Sequence, residues 1–179
     1  MEKDWFELAD TAIKIGLGAF ISVFGAYKIS SLNHKRDIEK KMIEKKIDII
    51  EEISESAEIY FYFCTSLYNT CGGMLHDSDN VGQDLTEDQK RLVTSKHENF
   101  THALEHRNKA VSKIKILAIP SAEDALKDYN GVLKDFRQMI VFDGKAPDSV
   151  FFEQTLERFS EHKSKFYEAL SQYMESLGK

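Results

Sequence analysis

Helix breakers are scarce in this chain. Two prolines and nine glycines in 179 residues leave long stretches uninterrupted, and three of the glycines, Gly16, Gly18 and Gly25, crowd near the start. Cysteine is as sparse. Cys64 and Cys71 are the only two, and on one helix they stand about 10 Å apart along the axis, beyond the reach of a disulfide. A disulfide scaffold is therefore excluded, and two unpaired thiols fit a reducing compartment, where they read as small buried apolar residues. Basic excess is also missing. A formal net charge of −6 argues against a general nucleic-acid binder, which needs a positive surface. There is no glycine-rich phosphate loop, no Ser–His–Asp or Cys–His spacing, no useful strand alternation and no repeat in the range of about 20–50 residues. What remains is 42% hydrophobic and 30% charged, the composition of a folded protein.

The opening run KIGLGAFISVFGAYKI holds thirteen uncharged residues between Lys14 and Lys28. Alone they reach about 20 Å, short of the roughly 30 Å hydrocarbon core of a bilayer. Extended by Ala12 and Ile13 on one side and Ile29 to Leu32 on the other, with both lysines snorkelling outward, a helix over 11–32 reaches about 33 Å. Trp5 and Tyr27 have the character of interfacial anchors. The acidic N-terminal flank argues against a signal peptide, and the absence of a basic polar face argues against an interfacial helix. The expectation is a single-pass transmembrane helix at the plasma (inner) membrane.

Charge sets its orientation. Residues 1–10 are a short acidic segment, whereas Lys28, Lys35, Arg36, Lys40, Lys41, Lys45 and Lys46 follow the apolar run. By the positive-inside rule the N-terminus faces out and the bulk faces the cytoplasm, with Lys35, Arg36, Lys40, Lys41, Lys45 and Lys46 toward anionic lipid. Gly18, Ser22 and Gly25 share one helix face, and Ala26 continues the Gly18–Ser22 row. Small residues so spaced predict self-association of spans.

After a basic stalk over 33–41, residues 42–179 read as an up-down four-helix bundle. Ser30 to Cys71 forms one helix, with Ile50, Ala57, Phe61, Cys64, Tyr68 and Cys71 on its apolar stripe and Gly72-Gly73 as its stop. Residues 74–85 read as a loop. Thr86 and Gln89 have capping-box spacing, opening a helix to about Ala118 with Val93, Phe100, Leu104, Val111 and Ile114 inward. Pro120 ends it and Ser121 caps the next, whose Ala122, Leu126, Tyr129, Leu133, Phe136 and Ile140 face the core. Asp143 to Asp148 is a turn. The last helix carries Phe152, Phe159, Phe166 and Tyr173 at heptad spacing, with Leu156, Leu170 and Leu177 between them and Lys163 as a misfit in the seam.

Chemistry-bearing clusters are weak. His102 and His106 lie one turn apart near Glu98 and Glu105, but off the inward face, so they read as solvated surface rather than ligands. Glu51, Glu52, Glu55 and Glu58 read as a charged helix face, and the loop HDSDNVGQD lacks the spacing of a calcium loop. No catalytic residue, cofactor or metal is expected. Two readings from different classes follow. One is a non-enzymatic, self-associating membrane-anchored bundle that senses or docks a cytoplasmic protein or small ligand. The other is an oligomeric, membrane-disrupting or pore-forming effector activated through its helical domain. A bundle enzyme with a metal site is the third and weakest.

Overall fold

The computed structural model describes the backbone of residues 2–76 and 83–178, and the side chains of 26–73, 83–98 and 100–178. All of the named elements are helical: α1 Glu2–His76, α2 Glu87–Leu117, α3 Pro120–Arg137, a π-helical turn Gln138–Phe142, and α4 Ser149–Leu177. The chain divides into two compact units, Met1–Lys45 and Lys46–Lys179.

The second unit is the bundle. Its topology follows from which residues meet. Glu52 pairs with Lys113 and Tyr60 packs near Phe100 at 6.1 Å, while the Tyr68 hydroxyl donates to the Phe152 carbonyl at 2.9 Å and Lys163 pairs with Glu58 at 3.0 Å, so α1 runs antiparallel to α2 and α4. Tyr60 bonds Asn130 while Tyr68 packs on Phe136, so α1 and α3 run in the same direction. The bundle is thus all-α and up-down, as short connections between neighbouring helices require.

Its centre is aromatic. Tyr60, Phe61, Tyr129, Phe136 and Phe166 are each 1% exposed or less. The Phe61 ring lies 4.5 Å from Tyr129 and meets Phe166 edge-on at 5.6 Å, geometries that aromatic quadrupoles favour. The row expected on α3, from Ala122 to Ile140, is buried throughout. On α1 burial begins at Ile50; Ile43 and Met42 are exposed, so the apolar stripe contributes to the core only within the second unit.

Local signals in the sequence play out unevenly. Thr86 accepts from the Gln89 amide, and Gln89 returns a bond to the Thr86 amide, completing the capping box. Ala118 closes α2 in the left-handed region at φ 53. Ser121 does not cap α3. Pro120 occupies the first turn and Ile119 the cap position, without a side-chain bond, because proline at that site needs no partner for a missing N–H. Gly72-Gly73 does not stop α1, which continues to His76. A Cβ at Gly72 would meet the Phe152 ring at 3.0 Å, so this glycine serves the close approach of α4 rather than a helix end. Leu156 is half exposed rather than in the seam. Lys163 is accommodated by Glu58 and by the face of Phe61, 5.3 Å from its ring centre.

The transmembrane assignment requires correction. Among the described residues no helix is long and apolar enough to cross a membrane. The expected span at 11–32, its plasma-membrane location and its N-terminus-out orientation are overturned by that finding. The uncharged stretch is only about 20 Å long, and Lys14 and Lys28 bound it on either side.

Candidate functional site

Among the described residues, those that the sequence marks out do not converge on a site. The side chains of Trp5, Lys14, Gly18, Ser22 and Gly25 lie outside the described residues. Ala26, Tyr27 and Lys28 are exposed, Tyr27 at 71%. Lys35, Arg36, Lys40, Lys41 and Lys45 are exposed and Lys46 is partly buried; Lys40 lies 3.9 Å from Glu44 one turn on, the ordinary behaviour of a solvated helix face. His102 is exposed and His106 partly so, and among the described residues no cluster of three His, Cys, Asp or Glu side chains is placed to hold a metal.

A polar groove instead opens between α3 and α4, with a volume of about 600 Å³. Lys127, Gly131 and Lys134 follow one another by four and three along α3 and therefore share a face. Arg158 and His162, one turn apart on α4, supply the opposite wall. Asp128 and Asp135 flank the α3 row, and Arg158 reaches Asp135 at 3.9 Å. His162 carries its Nδ1 buried and without a hydrogen-bond partner. Asn130 lines this groove and a smaller one of about 220 Å³ that it shares with Arg107 and Lys127.

Beneath the groove one side chain joins three helices. The Asn130 Oδ1 accepts from the Tyr60 hydroxyl at 3.0 Å and from Arg107 Nη1 at 3.2 Å, so one carbonyl ties α1, α2 and α3 together. Sequence reasoning missed this set. A signal was available at Gly131, a glycine inside a strong helical pattern, which costs about 1 kcal/mol relative to alanine. A Cβ at Gly131 would meet nothing within 4 Å, so no packing within the chain demands glycine there.

The groups best suited to covalent chemistry are buried elsewhere. Burial pushes the Cys71 thiol up to about 12, and it drives the Cys64 thiol higher still, against the lowering influence of the neighbouring Tyr60 and Tyr129 hydroxyls. Thiols so shielded are poor nucleophiles. At the other end of α3, Arg137 Nη2 donates to His97 Nε2 at 2.6 Å and lies over the rings of Phe100 and Phe142. Burial, then the charge of Arg137, hold the His97 imidazole below its usual value, consistent with a neutral ring that accepts from arginine. The π-helical turn that follows was not expected from the sequence; such turns frequently mark functional segments.

Comparison with known proteins yields no matching family model and no matching solved structure. The chain is similar to UvrABC system protein C from Borrelia turicatae (strain 91E135), with 32% identity over 91 residues, covering 50% of this chain and 15% of that protein. The chain thus spans a minor part of the relative's length, and this likeness does not establish a family.

Proposed function

We propose that this chain is a non-enzymatic helical-bundle protein that docks a partner or ligand on its polar α3/α4 face and associates with itself through the first unit. The groove carries the reading: about 600 Å³ of concave, charge-lined surface built on two helices, a rigid platform of the kind binding sites use. Self-association rests on Tyr27, Ile29, Leu32, Ile38 and Met42, all exposed within Met1–Lys45. An isolated helix with exposed apolar groups gains most of its stability from packing, and a second copy supplies such packing.

Lysine footprinting tests the docking. An amine-reactive reagent is applied to the chain in its native extract and to the purified chain, and modification is read by mass spectrometry. Protection in the extract at Lys127 and Lys134, with Lys90 and Lys115 unchanged, is the expected result. Equal protection everywhere, or none, rejects the docking face. Light scattering tests self-association: the full chain is expected to run above its monomer mass of 20.6 kDa, and a monomer at all concentrations removes that half of the reading.

A further inference from the structure

The α3/α4 groove has a composition that selects among ligands, and this inference rests on reading that face as a binding face. Lys127 and Lys134 stand on either side of Gly131 along one helix face, with Arg158 and His162 across from them. Among the described residues neither lysine has an ion-pair partner, while Asp135 is engaged by Arg158. Cations therefore outnumber free acids at the glycine. Gly131 exposes bare backbone at that point, where a Cβ would find only open space. A mid-helix glycine without a packing neighbour is costly, and the close approach of a ligand explains it. His162 lines the groove, and its Nδ1 is buried without a hydrogen-bond partner. A lone inorganic anion fills little of a groove of about 600 Å³, and every lining residue except Gly131 has a charged or polar side chain. Asp128 and Asp135 can accept hydrogen bonds from hydroxyls.

We propose that this groove binds a small phosphorylated, hydroxyl-rich molecule, its phosphate over Gly131 between Lys134, Arg158 and His162, and its hydroxyls toward Asp128 and Asp135. Arginine and lysine at two walls suit a phosphate's multiple oxygens.

The test is an amide NMR titration of the labelled full chain with glucose monophosphate, adenosine monophosphate, inorganic phosphate, sulfate and unphosphorylated glucose. A saturable shift centred on Gly131 and Lys134 is expected with a monophosphate ester, weaker with inorganic phosphate and absent with glucose. Gly131→Leu should weaken the ester's binding about tenfold or more by filling the approach, while its urea midpoint stays at or above that of the parent. Lys134→Glu, exposed and remote from the core, should do the same and guards against a folding artefact. Equal response to sulfate and to the esters, or shifts that never saturate and spread over lysines of every helix, would mean an adventitious ion only and overturn the proposal. Unchanged binding in both variants overturns it too. If no titrant binds while Lys127 and Lys134 are still protected in the native extract, the ligand class is wrong and the docking face stands.

Discussion

Replacing Asn130 by alanine tests whether one side chain ties three helices together. Tyr60 is fully buried, and its hydroxyl donates to Asn130 Oδ1 at 3.0 Å. Removing that acceptor leaves a buried donor unsatisfied, which costs about 1–3 kcal/mol. The Cys64 thiol is also within hydrogen-bonding reach of Tyr60, and sulfur is a weak acceptor, so the lower half of that range applies. Alanine also regains about 0.5 kcal/mol of helix propensity over asparagine. The net loss for Asn130→Ala is therefore about 0.5–1.5 kcal/mol. Tyr60→Phe should cost about 1 kcal/mol, because Asn130 Oδ1 keeps the bond from Arg107. In the Tyr60→Phe background the orphaned hydroxyl no longer exists, so adding Asn130→Ala should cost about 0.5 kcal/mol or less. The propensity gain cancels in the cycle, leaving a coupling of about 0.5–1 kcal/mol. Urea unfolding followed by circular dichroism measures all four proteins. Additivity within about 0.3 kcal/mol would refute the shared-acceptor argument.

The remaining predictions use the same assay. Gly131→Ala should stabilise by about 0.5–1 kcal/mol, since nothing stands within 4 Å of the new Cβ; a loss would show a packing role there. Gly72→Leu should destabilise by about 1–3 kcal/mol through overpacking, because the Phe152 ring already lies 3.0 Å from the Cβ position; a neutral result would mean α4 can withdraw freely. For Glu58, burial alone would raise the carboxyl, but the bonds from Tyr167 and Lys163, with the charge of Lys163, outweigh it and hold the group below its usual 4.5. A depressed folded value means its contribution is complete above pH 4.5 and is lost as pH falls through the folded value. Glu58→Gln should flatten that part of the stability profile, by less than about 1 kcal/mol because the pair is half exposed; an unchanged acid limb would contradict it.

The α3 face was legible because apolar residues at spacings of four and three, from Ala122 to Ile140, have only one buried arrangement on a helix. The capping box at Thr86 was legible because it is a four-residue code. Gly72 was misread as a stop because glycine serves both helix ends and close packing, and only the position of Phe152 distinguishes them. Ser121 lost the cap position because proline beside it already suits the helix start. The opening apolar run holds thirteen uncharged residues, about 20 Å of helix, and its extension over 11–32 takes in both flanking lysines, whereas no helix among the described residues is long and apolar enough to cross a membrane. The groove escaped notice because Gly131 and His162 lie 31 positions apart, and charges on separate helices gain meaning only once packing sets which faces adjoin. Lys163 was recognisable as a misfit, but its partner Glu58 lies 105 residues away.

In-cell photocrosslinking probes the central claim most directly. A photoreactive residue is placed at Lys134, in the groove, or at Ile116, which is 71% exposed on α2, and adducts are read by intact mass. The account predicts a discrete adduct from position 134 and none from 116. Equal labelling at both positions, or an adduct from 116 alone, would contradict it.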